Sequence, residues 1–285
     1  VLALVGCKKA NLNALAFPSD KLSKYTFENY KGGEAQLPTG MLADASNYTL
    51  LTLDSKDEAT SETYEIYGVY IGNINSIATD TVLLYLHGQS KHMDHYFTRA
   101  SLLANLGGKY NYSVLMIDYR GFGMSEGEST EQGLYEDANA AIDWLKNQGA
   151  DPEKTIYYGY SLGAIPAIDR AAYRTDFSPS QLIVEAPLAS VENLVHTSTI
   201  INIAPSFVTT LEFNNAEKIK SVESKFLWMH GKEDSYIAIQ NGELIYANHQ
   251  GEKQAIRVEG ADHSEVPTTM GYANYLENIL DFIRG

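Results

Sequence analysis

The sequence predicts an α/β fold with a mostly parallel central sheet and helices on both faces. Short apolar runs recur along the chain, and segments with helical periodicity separate them. Runs that are apolar at nearly every position are typical of strands buried on both faces of a parallel sheet. The chain has 285 residues, of which 44% are hydrophobic, and this is enough for one domain with a large buried sheet.

The predicted strands fall into two groups. Residues 48–53 and 64–71 have alternating apolar residues and turn-rich ends, so they predict an opening antiparallel pair. The later runs are short and mostly apolar, and they predict the parallel part of the sheet: residues 82–86, 113–117, 155–158, 182–184, 226–229 and 255–258.

Helical periodicity lies between these runs. One helix is predicted to begin after Ser129 or Thr130, either of which can cap it. Residues 164–174 predict a helix of small residues, and Pro166 within it is expected to cost a hydrogen bond and to bend the helix. Apolar residues at helical spacing over residues 272–283 predict a final amphipathic helix.

The stretch Gly159-Tyr160-Ser161-Leu162-Gly163 joins one predicted strand directly to a predicted helix. A serine on so tight a turn is forced into a strained backbone conformation, and its hydroxyl is raised above the edge of the sheet. The glycines are needed because side chains there would collide with the neighbouring strand or helix. The context predicts a nucleophilic serine, although a turn formed by chance would have a similar composition.

A nucleophilic serine needs a base and an acid that orients the base. Asp234 follows the apolar run at 226–229, and His263 follows the run at 255–258. The order Ser, Asp, His, with each residue just beyond a strand, predicts a catalytic triad in which His263 takes the proton of Ser161 and Asp234 fixes the tautomer of His263. Taken singly, Asp234 could be a turn residue and His263 a surface histidine.

An oxyanion also needs hydrogen-bond donors, and two backbone amides usually supply them. The amide of Leu162, directly after the serine, is one candidate, and the amide of Gln89, in the loop after the strand at 82–86, is the other. His87 precedes Gly88 in this loop and is expected to shape it rather than to act as a base.

These segments together resemble the serine-nucleophile α/β-hydrolase superfamily, and within it the branch of BEM46-like and ABHD13-like proteins. The resemblance covers about residues 60 to 283. It rests on Leu86-His87-Gly88, the serine turn and four further segments: residues 118–127, 184–192, 215–219 and 230–234.

The resemblance implies an α/β-hydrolase fold over residues 41–285, hydrolase activity without a cofactor, and Ser161, Asp234 and His263 as the triad. The chain departs from the family at residues 89–92, Gln-Ser-Lys-His, where relatives often carry small Asn or Gly residues. Polar bulk at these positions is expected to narrow the acyl pocket.

Composition limits the remaining functions. A formal charge of −15 argues against binding to nucleic acid or to anionic lipid. One cysteine excludes an internal disulfide. His92, Asp94 and His95 lie close together but precede a helical pattern and lack further ligands, so no metal site is expected.

Residues 1–40 carry a separate signal. The segment from Val1 to Cys7 resembles the end of a bacterial lipoprotein signal, truncated before its start, in which Cys7 would carry a lipid. The polar residues that follow, through Gly40, are expected to form a tether to a bacterial envelope membrane. The alternative is an ordinary apolar strand with a free cysteine, in a cytoplasmic protein.

Residues 191–215 interrupt the alternation of strands and helices with an insertion rich in apolar residues. Its place above the carboxyl edge of the sheet predicts a small cap over the ligand site. Phe207 in this insertion, and Tyr160 beside the serine, are the candidate substrate-binding residues. The alternative is a helix that only packs on the fold.

The sequence therefore predicts a serine hydrolase, most simply a carboxylesterase that acts on small or medium acyl esters through an acyl-enzyme. A peptidase or amidase with the same triad is one alternative, and a non-catalytic binding protein on a hydrolase scaffold is the other. Glu185, at the end of the strand at 182–184, is a second candidate for the acid.

Overall fold

A twisted sheet forms the centre of the molecule. The strands are β1 (Tyr48–Lys56), β2 (Thr63–Ile71), β3 (Thr81–Leu86), β4 (Tyr112–Ile117), β5 (Thr155–Tyr160), β6 (Gln181–Glu185), β7 (Lys225–Gly231) and β8 (Lys253–Val258). The structure, a computed structural model, describes residues 17–34, 36–193 and 211–285.

Within these residues the eight strands form one sheet in the order β1-β2-β4-β3-β5-β6-β7-β8. β2 pairs antiparallel with both β1 and β4, and every other pair of neighbours is parallel. The predicted α/β fold with a mostly parallel sheet is therefore confirmed, and the crossover connections place helices on its two faces.

The helices of the described residues are α1 (Met93–Leu103), α2 (Glu131–Asn147), α3 (Ala164–Tyr173), α4 (Asn215–Lys218), α5 (Gln240–Asn248), α6 (Val266–Met270) and α7 (Tyr272–Arg284). The predicted cap of α2 is Thr130, whose hydroxyl accepts a hydrogen bond from Gly133 N–H. None of these helices has the length and apolar character needed to cross a bilayer.

The central strands are buried on both faces, and two apolar cores lie on opposite sides of the sheet. All six residues of β5 are buried, which is why its sequence lacks the alternation of a half-exposed strand. Such burial fixes the strand ends, and the residues that follow β3, β5, β7 and β8 meet at the carboxyl edge of the sheet.

The prediction that Pro166 costs its helix a hydrogen bond is wrong. Helix α3 begins at Ala164, after a short 3₁₀ turn from Ser161 to Gly163. Pro166 therefore lies in the first helical turn, where an N–H group has no partner within the helix and its loss costs no hydrogen bond.

The segment predicted to be a tether instead packs on the domain where the structure describes it. Phe17 and Phe27 are buried, and Leu22 N–H donates a hydrogen bond to Gly123 O at 2.8 Å. The Asp94 carboxylate, in the first turn of α1, accepts hydrogen bonds from the backbone N–H groups of Thr26 and Phe27. Cys7 lies outside the described residues, and its lipidation stays a prediction.

Most of the predicted cap, including Phe207, also lies outside the described residues. At the end of the insertion Leu211 and Phe213 are 4% and 2% exposed and pack into the core beside α3 and α4. These two residues therefore contribute to the body of the domain.

Candidate active site

Ser161 lies on the strained turn that its sequence predicts. Its φ of +51° falls in the left-handed region, which a side chain normally disfavours. A Cβ atom on Gly163 would lie 1.9 Å from Leu86 O, and one on Gly159 would lie 2.6 Å from Gly163 O. Only glycine permits this close approach of the turn to β3 and α3, and the approach lifts Ser161 to the sheet edge.

His263 joins Ser161 to Asp234 in one chain of hydrogen bonds. Its Nε2 lies 2.9 Å from Ser161 Oγ, and its Nδ1 lies 2.7 Å from Asp234 Oδ2. A carboxylate accepts only, so Nδ1 carries the proton and Nε2 is free to accept the proton of the serine. The arrangement can therefore transfer a proton away from Ser161, and the structure brings all three residues of the predicted triad together.

Asp234 is held as a carboxylate by four donors. Its Oδ1 accepts from the backbone N–H groups of Tyr236 at 2.9 Å and Ile237 at 2.7 Å, and its Oδ2 accepts from His230 and His263. Burial alone would raise the pKa of Asp234, but the hydrogen bonds from His230, His263 and the Ile237 amide lower it well below its usual range.

His230 is a functional candidate that the sequence reasoning missed. It is fully buried, and its Nδ1 accepts a hydrogen bond from the indole N–H of Trp228 at 3.4 Å. Because the indole can only donate, Nδ1 carries no proton and Nε2–H donates to Asp234 Oδ2 at 3.0 Å. The neutral imidazole therefore orients the acid. Its position four residues before Asp234 is the signal that could have indicated this role.

The loops that carry the acid and the base are joined by Asp262. Its Oδ1 accepts from the backbone N–H groups of Ser235 and His263, each at 2.8 Å. These bonds fix Asp234 and His263 relative to each other through their neighbours. The ring of His263 also packs between those of Tyr160 and Tyr236, at 5.5 and 5.0 Å between centroids.

The loop after β3 forms the other side of the site. Gln89 O accepts a hydrogen bond from the Tyr96 hydroxyl at 3.0 Å, and the Gln89 side-chain amide donates to the Tyr236 hydroxyl. Ser90, with φ of +69°, lies in the left-handed region of backbone conformation. Gln89 and Ser161 line the same cavity, and Leu162 follows Ser161 in the turn, so the role of the Gln89 and Leu162 amides as oxyanion donors stays a prediction.

A cavity of about 430 Å³ opens above Ser161. Its walls combine the serine and the base with polar and aromatic side chains: Glu34, Gly88, Gln89, Ser90, Lys91, His95, Tyr96, Tyr160, Ser161, Tyr236, His263 and Ser264. Tyr160 thus lies in the wall, where it was predicted to contact substrate. Glu34, from the part of the chain predicted to be a tether, was not expected here.

Two other sequence candidates have different surroundings. Glu185 is fully buried and accepts hydrogen bonds from Arg99, Tyr158 and Tyr275, so it is not the partner of His263. Among the described residues no group of three or more His, Cys, Asp or Glu side chains is arranged to hold a metal ion. Asp94, the carboxylate of the short histidine cluster, is occupied by the backbone of Thr26 and Phe27.

Comparison of the sequence with known proteins finds a matching family model and several relatives. A family model described as serine aminopeptidase, S33, matches residues 78–215. Alpha/beta hydrolase domain-containing protein 17B of Homo sapiens is 31% identical over 202 residues, which cover 70% of this chain and 65% of the human protein. Protein aho-3 of Caenorhabditis elegans is 32% identical over 70% of this chain and 57% of its own length. The chain thus spans less than two thirds of these relatives.

Solved structures share the fold. An esterase from Pyrococcus furiosus superimposes with a TM-score of 0.63 at 17% identity, covering 92% of this chain and 98% of the esterase. An alpha-beta hydrolase from Vibrio vulnificus has a TM-score of 0.61 at 23% identity, with 82% and 81% of the two chains covered. At these identities the likeness concerns the fold alone.

Proposed function

This chain belongs to the α/β-hydrolase superfamily, and we propose that it is a serine hydrolase that cleaves small or medium acyl carboxylic esters through an acyl-enzyme. The observation that carries the proposal is the Ser161–His263–Asp234 chain of hydrogen bonds, at 2.9 and 2.7 Å, which opens into a cavity. The hydrolase assignment follows from the superfamily. The narrower BEM46-like and ABHD13-like branch stays a prediction.

The geometry supports a two-step reaction. His263 Nε2 takes the proton as Ser161 Oγ attacks the ester carbonyl carbon, and Asp234 stabilises the imidazolium that forms. The imidazolium then gives that proton to the leaving alcohol oxygen, and the acyl group stays on Ser161. In the second step water attacks the acyl-enzyme, His263 takes its proton, and Ser161 regains a proton when the carboxylic acid leaves.

The tetrahedral intermediates carry negative charge on the former carbonyl oxygen. We assign the role of oxyanion donors to the N–H groups of Leu162, in the serine turn, and of Gln89, in the loop after β3. The start of α3, just beyond Ser161, adds the positive end of a helix dipole. Each such donor typically contributes 10²–10³-fold to kcat, or about 3–4 kcal/mol.

The size of the cavity supports the choice of small or medium acyl groups. About 430 Å³ lies at the lower end of the range for ligand pockets, and Gln89, Ser90, Lys91 and His95 add polar groups to its walls. Each methylene that fits contributes up to ~0.8 kcal/mol of burial, so affinity should rise with chain length until the cavity is full.

A peptidase or amidase is the second candidate, because the family model that matches residues 78–215 is described as a serine aminopeptidase. The same triad can cleave an amide if His263 protonates the poorer leaving group efficiently. Relative kcat/KM on an ester and an amide with the same acyl group separates the two candidates.

The test combines labelling with a series of substrates. The native protein should react with a fluorophosphonate probe and hydrolyse 4-nitrophenyl esters, with an optimum among short to medium chains. Ser161→Ala should abolish both while the protein stays folded by circular dichroism, and Phe207→Ala should move the optimum to longer chains. Undiminished turnover by folded Ser161→Ala protein would show that Ser161 is not the nucleophile. A steady rise in kcat/KM through long-chain esters, unchanged by Phe207→Ala, would contradict the size limit and the cap.

A further inference from the structure

Residues 17–34, called the 17–34 segment below, contact both sides of the candidate site. The segment precedes the part of the chain that the family model matches, residues 78–215. It follows the surface of the domain from Phe17, next to the loop after β3, to Glu34 in the wall of the cavity. Two of its side chains, Tyr25 and Glu34, end in buried charged networks that lead to the reacting groups.

Glu34 pairs with a buried arginine beside the base. Its Oε1 lies 2.6 Å from Arg99 Nη2 and its Oε2 lies 2.9 Å from Arg99 Nε, so the two groups form a bidentate pair. The side chains of Arg99 and Glu34 are only 2% and 7% exposed. Burial raises the pKa of the Glu34 carboxyl, and the Arg99 guanidinium opposes that rise.

Arg99 transmits this pairing to the base and to the serine turn. Its Nη2 donates to the carbonyl oxygen of Ser264, next to His263, at 3.2 Å. Its guanidinium lies over the ring of Tyr160, next to Ser161, at 4.1 Å from the centroid. On its far side Nη1 lies 2.5 Å from the buried carboxylate of Glu185. Arg99 is thus held between two carboxylates, and its position depends on both.

Tyr25 enters a second network on the oxyanion side. Its hydroxyl donates to Asp118 Oδ2 at 2.7 Å and accepts from Met124 N–H at 3.0 Å. The other oxygen of Asp118 lies 3.0 Å from His87 Nε2, and both of these side chains are fully buried. Tyr25 thereby completes the hydrogen bonding of the carboxylate that faces His87.

His87 connects that carboxylate to the loop that carries the oxyanion donor. Its Nδ1 lies 2.7 Å from Gly88 O and its Nε2 lies 3.0 Å from Asp118 Oδ1, so the ring lies between the carboxylate and the loop. Its ring stacks on Tyr96, whose hydroxyl holds Gln89 O. The orientation of the peptide groups at Gly88 and Gln89 therefore depends on the place of His87.

We propose that the 17–34 segment is a positioning element of the catalytic site. Glu34 acts through Arg99 on the loop of His263, and Tyr25 acts through Asp118 and His87 on the loop of Gln89. Neither residue touches the reacting atoms in this role, so both are positioning residues. The proposal rests on the proposed serine hydrolase function.

Glu34→Gln tests the contact that runs through Arg99 to the loop of His263. Glutamine keeps the size of the side chain but turns an amide donor toward the N–H groups of Arg99, so the guanidinium keeps its bond to Glu185 and loses the carboxylate of Glu34. We expect kcat to fall about tenfold, the equivalent of one charged hydrogen bond, while KM stays within about twofold. The rate of fluorophosphonate labelling should fall in parallel, because the base assists that reaction as well.

Tyr25→Phe tests the oxyanion side and has a matched control. It should lower kcat about fivefold, the equivalent of one ordinary hydrogen bond, with KM little changed. Tyr157→Phe removes a buried phenol hydroxyl that donates to Phe177 O at 2.8 Å, outside both networks. Tyr157→Phe should lower the free energy of unfolding by about as much as Tyr25→Phe does, and it should keep the native kcat. The variant with both Glu34→Gln and Tyr25→Phe should lose about fiftyfold, because the two networks act on different loops.

Kinetics are measured well below the unfolding midpoint of each protein, which is recorded by thermal denaturation. If Glu34→Gln and Tyr25→Phe leave kcat within twofold of the native value, or lower it no more than Tyr157→Phe does, the segment is merely structural and the proposal is overturned. That result leaves the proposed function intact, because the native protein still reacts with the probe. A native protein that neither reacts with the probe nor cleaves esters overturns both.

Discussion

Asp234→Asn is the substitution that the geometry of the site constrains most tightly. All four groups around the carboxylate donate: the backbone N–H groups of Tyr236 and Ile237 to Oδ1, and His230 and His263 to Oδ2. An amide has one accepting oxygen and one donating nitrogen. In either orientation it therefore turns its NH₂ group toward two donors.

The less costly orientation keeps the amide oxygen on the backbone N–H groups, which cannot change their protonation. The NH₂ group then faces His230 and His263. Nδ1 of His263 must become the acceptor, so its proton moves to Nε2, and Nε2 can no longer accept the proton of Ser161. A base held in the wrong tautomer lowers kcat by ~10⁴-fold. The displaced hydrogen bond from buried His230 costs a further 1–3 kcal/mol, roughly, in the free energy of unfolding.

The assay is kcat on 4-nitrophenyl butyrate at pH 7, together with the rate of fluorophosphonate labelling. Asp262→Asn is the matched control. Its Oδ1 holds the backbone N–H groups of Ser235 and His263, and an asparagine oxygen can keep both bonds, so kcat should fall less than tenfold. A folded Asp234→Asn protein within tenfold of the native kcat, or a larger loss from Asp262→Asn, would refute the assignment of the acid.

Two further predictions concern stability. The folded state lowers the pKa of Asp234 below its usual value of 3.8, so its ionisation stabilises the protein above about pH 4, and this contribution is lost as the pH falls below that value. The difference in the free energy of unfolding between native and Asp234→Asn protein should therefore shrink from pH 7 to pH 3, and a constant difference would contradict it. Removal of residues 1–20 takes away buried Phe17 and the hydrogen bonds that Pro18 O and Asp20 O accept from the backbone N–H groups of Ser90 and Gly123. This deletion should lower the melting temperature by about 5 °C or more, and a melting curve equal to that of the native protein would show that these contacts contribute nothing.

The parts of the fold and the site that follow from the sequence are those set by local patterns. Ser161 comes directly after β5, Asp234 follows β7 by three residues and His263 follows β8 by five, and parallel strands bring their carboxyl ends to one edge. Their meeting could be predicted because apolar runs fix the strands, and the strands in turn fix the positions of the residues that follow. The glycines around Ser161 could be interpreted for the same reason, since the strand-to-helix turn has one geometry.

Other features depend on details that patterns do not contain. His230 is part of an apolar strand, and only the contacts of its two ring nitrogens separate an orienting imidazole from a packed one. The helix after Ser161 starts at Ala164, so the place of Pro166 in its first turn depends on a boundary that composition does not define. A helix that began one turn earlier, or a proton on the other ring nitrogen of His230, would change the chemical conclusion.

The 17–34 segment was predicted to be a tether because its composition is polar, and the structure explains why that inference fails. Its polar groups are used in specific contacts: Tyr25 bonds a residue 93 positions away, and Glu34 bonds one 65 positions away. No periodicity accompanies such contacts, because each side chain meets a buried charge that a distant segment supplies. Asp118 and Arg99 lie in the interior and require partners, and a buried ion with a missing partner destabilises a fold strongly. Buried charges in the core of the domain therefore require polar partners from this segment. A polar segment near one end of the chain indicates solvent exposure only where the core holds no charge that lacks a partner.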